Sequence, residues 1–159
     1  MAVIFSAREI LEAAVEKEKM RKGFYENVCE LSTNQEMKEL FQSLKEEEEK
    51  HIATFTHIRD NLPEETYSEE YNADMEAYMD SVIDDRLYSE IDTKGFVQKA
   101  IAAENVFQLA IGFEKDAILY FREFLPYLTE SDRKVVEELI EQEKGHIRKL
   151  ADMKQRMGE

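Results

Sequence analysis

The segment Phe41-Gln-Ser-Leu-Lys-Glu-Glu-Glu-Glu-Lys-His-Ile-Ala-Thr-Phe-Thr-His-Ile58 decides the fold. Taken at positions 41, 44, 48, 51, 55 and 58, it reads Phe, Leu, Glu, His, Phe, Ile. That spacing is one face of an α-helix, apolar except for a Glu and a His at its centre. The segment Val136 to Met153 repeats the pattern: positions 136, 139, 143, 146, 150 and 153 read Val, Leu, Glu, His, Leu, Met. Two helices therefore each direct a Glu-x-x-His pair into what should be a buried stripe. Side chains three apart project from the same helical face.

Further out, two more helices carry a single Glu on an apolar face. In the first, Leu11, Ala14, Tyr25 and Val28 flank Glu18. In the third, Phe107, Ala110, Ile111, Phe121 and Phe124 flank Glu114. The capping signals predict helices of about 7–31, 34–61, 93–125 and 130–156. Ser6 with Glu9 and Thr33 with Glu36 look like capping boxes, and Thr93 and Thr129 are caps for the later two. Pro63 and Pro126 mark helix ends. Short turns join the first helix to the second and the third to the fourth, so each pair is an antiparallel hairpin. The longer connection, 62–92, is read as a crossover with a short helix at about 72–84, where Met75, Tyr78, Met79 and Val82 share a face. The fold class is all-α: a ferritin-like four-helix bundle of two helical hairpins joined by one long crossover, forming one domain over residues 1–159. A crossover of this length also lets two chains exchange hairpins in a homodimer.

Composition agrees with this reading and excludes several functions. Charged residues make up 36% and hydrophobic residues 43%, with only 5 Gly and 2 Pro in 159 residues, which is a helical composition. A formal net charge of −15 argues against nucleic acid or an anionic membrane as partner. No apolar run approaches the length of a membrane span. The single cysteine, Cys29, allows neither an internal disulfide nor a thiolate metal site, and is expected to be a small buried apolar group. With no signal-peptide pattern in Met1 to Ile10, the expected compartment is the cytoplasm.

Four carboxylates in one apolar layer are costly to bury unless cations join them. Arg21 lies close to Glu18, but no Lys or Arg is placed to serve all four positions. Two divalent ions would balance four Glu side chains, and carboxylate with imidazole suits iron or manganese better than a structural zinc site. The candidate ligands are Glu18, Glu48, His51, Glu114, Glu143 and His146. Glu16 is the alternative to Glu18, which the internal repeat favours: Glu18-Lys-Met-Arg-Lys-Gly-Phe-Tyr25 parallels Glu114-Lys-Asp-Ala-Ile-Leu-Tyr-Phe121. Glu46, Glu47 and Glu49 read as a solvated face, His57 as a surface residue, and Glu104 as a group at the end of the bundle. Tyr25 is either a hydrogen-bond donor to a ligand carboxylate or plain core. Gly145, inside the second Glu-x-x-His pair, suggests a close approach by a neighbouring helix.

These paired motifs resemble the rubrerythrin branch of the ferritin-like superfamily. The resemblance covers about 7–61 and 94–155 and implies the six residues above as ligands of a di-iron centre. Manganese or a mixed pair is the variant. It implies an oxidoreductase reacting with peroxide or dioxygen. Rubrerythrins proper carry a four-cysteine rubredoxin domain and a further Glu three residues after the third-helix ligand. This sequence has one cysteine, and Ala117 at that position. Electrons would then come from an external donor such as a rubredoxin-type protein. The competing expectations are a ferroxidase that stores or delivers iron, and a non-catalytic helical interaction module whose buried polar groups only fix helix register.

Overall fold

The computed structural model describes residues 7–62 and 90–159. These residues form five α-helices, α1 (Ala7–Leu31), α2 (Gln35–Asn61), α3 (Lys94–Ala102), α4 (Val106–Phe124) and α5 (Glu130–Met157), with a 3-10 turn at Leu125–Tyr127. Helices α1 and α2 pack along their lengths as one hairpin, and α4 and α5 as the other. The hairpins meet through α1 against α4 and α2 against α5. The helix anticipated at 72–84, and the Ser6 cap, lie outside the described residues.

The caps form largely where the sequence placed them. Thr93 Oγ1 accepts from the Phe96 amide at 3.2 Å, and Thr129 Oγ1 from the Asp132 amide at 3.3 Å. At the second helix the cap is Asn34 rather than Thr33: Asn34 Oδ1 accepts from the Met37 amide at 3.0 Å. Thr33 stays exposed in the turn.

The anticipated third helix is two helices. Glu104 takes a left-handed φ of 55°. Its amide bonds to Ile101 O at 3.1 Å, and the Asn105 amide bonds to Ala100 O at 3.1 Å. This is a Schellman ending with Glu where Gly usually stands. Glu104 is thus the exposed corner between α3 and α4. The new helix start is capped from a distance, since Glu159 Oε1 accepts from the Phe107 amide at 2.8 Å.

The apolar stripes divide the interior into two clusters. Ile10, Leu11, Phe55, Ile58, Phe121 and Val136 belong to one. Phe24, Phe41, Leu44, Phe107, Leu150 and Met153 belong to the other. Along α1, α2 and α5 the two clusters are separated by roughly three turns, and on α4 by about one, and the polar positions 18, 48, 51, 114, 143 and 146 fall in that gap. On α4, Phe113 is buried, whereas Ile111 is only half-buried. The Phe124 side chain is outside the described set.

Candidate metal centre

All six candidate side chains lie in the layer between the clusters. Glu18, Glu48, His51, Glu114 and Glu143 are fully buried, and His146 is 4% exposed. Their ligand atoms converge in two overlapping sets. Glu18, Glu48, His51 and Glu143 offer atoms that all lie within 4.8 Å of one another, and so do Glu48, Glu114, Glu143 and His146. Glu48 and Glu143 are common to both sets. The two-fold repeat in the sequence thus becomes a two-fold arrangement in space, with one Glu of each Glu-x-x-His pair at the junction.

The imidazoles point inward through Nδ1. His51 Nδ1 lies 2.6 Å from Glu143 Oε1, and 3.8 Å from both Glu18 Oε2 and Glu48 Oε2. His146 Nδ1 lies 3.4 Å from Glu143 Oε2 and 3.7 Å from Glu114 Oε2. The outer nitrogen of His51, Nε2, donates a hydrogen bond to Gln142 Oε1 at 2.9 Å. That bond leaves the Nδ1 lone pair facing the carboxylates. The two rings are nearly parallel, with centroids 6.0 Å apart.

Two further side chains complete the layer. The Arg21 guanidinium donates to Glu18 Oε1 and places Nε 3.9 Å from Glu48 Oε2. The Tyr25 hydroxyl donates to Glu114 Oε1. Tyr25 also packs against Phe24 and Phe41, so it is both core and carboxylate donor. Each single Glu is thereby held by one oxygen and turns the other inward. Those inward atoms, Glu18 Oε2 and Glu114 Oε2, have no hydrogen-bond partner. Both oxygens of Glu48 likewise have no hydrogen-bond partner, and the oxygens of Glu143 face only the Nδ1 atoms of the two histidines.

Eight buried oxygen and nitrogen atoms facing one another are an arrangement that only protons or cations make tolerable. Without metal, the proton takes that place. Burial opposes a charged His51, but the carboxylates of Glu143 and Glu18 outweigh it and hold the imidazolium up to about 10. Burial likewise opposes a charged Glu143, but His146 and His51 outweigh it and hold the carboxyl down at about 2. The residues present fit two divalent ions, each facing three carboxylates and one imidazole, with no thiolate.

The remaining residues singled out in the sequence lie elsewhere. Glu16 is exposed and pairs with Lys19 at 3.3 Å, so Glu18 is the α1 carboxylate of the layer. Glu46 and Glu49 are exposed, Glu47 pairs with Lys50 at 3.0 Å, and His57 is on the surface. Cys29 is half-buried rather than buried, with Sγ 3.7 Å from Gln42 Oε1. Ala117 is a buried member of the first apolar cluster. Gly145 is approached by no neighbouring helix: a Cβ there would meet only Arg148 Nη2, at 3.8 Å. Gln142 does not stand out in the sequence, because an exposed Gln beside a Glu carries no signal until the fold brings it to His51.

No family model matches the sequence, and no curated protein matches it. Among solved structures, the chain is similar to a crystal structure from Thermotoga maritima described as a candidate ferritin-like diiron-carboxylate protein. The two share a TM-score of 0.71 and 26% sequence identity, and the similarity covers 96% of each chain. Among the described residues, no helix is long and apolar enough to cross a membrane.

Proposed function

We propose that this chain, an all-α bundle of ferritin-like fold, holds two iron ions and uses them to reduce peroxide or dioxygen with electrons from an external donor. One observation carries the reading: two buried four-residue sets share Glu48 and Glu143 as common members. Shared carboxylates are what a bridged pair of ions requires, and a lone structural ion needs none. The similar Thermotoga structure, described in diiron-carboxylate terms, supports the same metal.

In this reading Glu18, Glu48, His51 and Glu143 would hold one ion and Glu48, Glu114, Glu143 and His146 the other. Manganese, or one ion of each kind, suits the same donors. Two iron(II) ions held there would supply the two electrons that, with two protons, turn one peroxide into two waters. The protein's part is to hold the carboxylates in register through Arg21 and Tyr25 and to fix the His51 tautomer through Gln142. The apolar clusters on either side keep the layer dry, with Phe55 and Phe121 packed at a centroid distance of 4.8 Å on one side. Rubrerythrin-like peroxidase activity, with a rubredoxin-type donor, is the specific form we favour.

The test is to strip the protein, load it anaerobically with two iron(II) per chain and add hydrogen peroxide. The expected result is oxidation much faster than that of free iron(II), with one peroxide consumed per two irons. The double variant Glu48→Ala/His51→Ala should abolish it. Oxidation no faster than in buffer would overturn the proposal. A large closed assembly taking up many irons per chain would favour the storage reading instead.

A further inference from the structure

The two halves of the layer have the same donors but not the same surroundings. Each set comprises three Glu and one His. Among the described residues, His51 alone of the two histidines is bonded by a Gln, and the difference in charge lies in what holds the single Glu of each set. On the His51 side, Glu18 Oε1 is bonded by the guanidinium of Arg21, whose Nε also lies 3.9 Å from Glu48 Oε2. On the His146 side, Glu114 Oε1 is bonded by the hydroxyl of Tyr25. The residues at the matching places of the repeat are Ala117 for Arg21 and Phe121 for Tyr25, so both polar supports come from α1 and the symmetry is broken there.

Arg21 is 1% exposed, and a guanidinium keeps its charge across the workable pH range. It therefore sets a permanent positive charge beside one position of a site built for cations. It also draws electron density from Glu18, which weakens that carboxylate as a donor. Tyr25 adds no net charge beside Glu114. Both effects of Arg21 act in one direction.

We infer that the two metal positions are unequal: the His146 position fills first and tightly, and the His51 position, beside Arg21, fills second and more weakly. This rests on the two-metal reading above. A chain built this way passes through a one-metal form and becomes reactive toward a two-electron oxidant only when the second ion is abundant enough to bind. The His51 position is thus the one that senses, and can lose, its ion.

The test is an anaerobic titration of the metal-free full-length chain with cobalt(II), read by visible absorption and by calorimetry. Two steps are expected, with dissociation constants separated by about tenfold or more. His146→Ala should remove the tight step, and His51→Ala the weak one. Repulsion between the two ions alone would also separate the steps, so the decisive comparison is Arg21→Gln, which keeps a hydrogen bond to Glu18 without the charge. It should tighten the second step by about tenfold while moving the first much less, and Arg21→Lys should keep the original gap. An unchanged gap in Arg21→Gln, equal affinities in the wild type, or loss of the tight step in His51→Ala would overturn the inference. If circular dichroism shows Arg21→Gln unfolded, the order of filling is decided by the two histidine variants. Failure of the wild type to bind cobalt at all would overturn the two-metal reading itself, whereas equal or reversed filling overturns only this inference.

Discussion

At the scale of single residues, hydrogen bonds hold Glu18, Glu114 and His51 by an outer atom and turn the inner one toward the shared carboxylates of Glu48 and Glu143. Gln142 is the most exposed of these supports and so the easiest to vary without disturbing the core. Its Oε1, 2.9 Å from His51 Nε2, fixes which ring nitrogen carries the proton. Gln142→Leu removes that acceptor, so the neutral ring is no longer held with its proton on Nε2 and its Nδ1 lone pair free for a metal. Metal affinity should fall about tenfold or more at the weaker step, with little change in the melting temperature of the metal-free protein. A calorimetric titration unchanged by the substitution would show that the bond is incidental. Tyr25→Phe differs because its partner is buried: it leaves Glu114 Oε1 without a donor inside the bundle. The metal-free protein should lose about 1–3 kcal/mol, read by urea unfolding. The six candidate ligands are legible in the sequence because each interrupts an apolar stripe. Arg21 is visible there only as a neighbour of Glu18, and Gln142 not at all, since the approach of Arg21 to Glu48 and of Gln142 to His51 is set by the packing of one helix on another.

At the scale of elements, three backbone positions test how the helices are built. Gly145 lies within α5, and the space its Cβ would enter is open apart from Arg148 Nη2 at 3.8 Å. Gly145→Ala should therefore stabilise the bundle by about 1 kcal/mol, the difference in helix propensity. Gly23 has the opposite character, because a Cβ there would lie 2.7 Å from Asp92 Cβ. The close approach is fixed by the Asn27 side chain, whose Nδ2 donates to Asp92 O at 2.6 Å. Gly23→Ala should accordingly destabilise the protein and loosen the segment leading into α3, seen as faster amide exchange at Ile91 to Thr93. At Glu104, with φ of 55°, glycine should be tolerated or stabilising by about 0.5 kcal/mol, because a side chain in the left-handed region costs roughly 1–2 kcal/mol. That corner also marks where the sequence pattern stops being informative. Apolar periodicity continues from α3 into α4, and Glu104 is no helix breaker, so one helix is the natural expectation. The new helix start is met by Glu159, whose Oε1 accepts from the Phe107 amide at 2.8 Å, a contact between residues far apart in sequence that has no local signature.

At the scale of the whole molecule, the carboxylate layer ties stability to pH and to metal. In the metal-free protein, His51 is held up at about 10 from its ordinary 6.5, so its contribution is full below about 6.5 and is lost as pH rises through about 10. Glu143, held down at about 2 from its ordinary 4.5, contributes fully above about 4.5 and loses that contribution as pH falls toward 2. The metal-free bundle should thus weaken steadily from pH 6.5 into the alkaline range. Metal reverses this trend. A divalent ion needs the Nδ1 lone pair of His51, so binding expels the proton that joins His51 to Glu143, and affinity rises as that proton becomes easier to remove. Because a ligand that binds the folded state stabilises it by mass action, the gap between loaded and stripped melting temperatures should widen from pH 6.5 to pH 9. Manganese(II) under nitrogen is a suitable probe, with a chelator in the paired sample. The formal net charge of −15 works in the same sense, since neutralising part of it relieves repulsion across the bundle, and that part is screened by salt. Repeating the measurement at high ionic strength separates the two: the surface part should shrink, while the widening with pH, which comes from the buried layer, should persist. A gap that stays constant with pH would mean that protons and metal do not compete for the layer between the two apolar clusters.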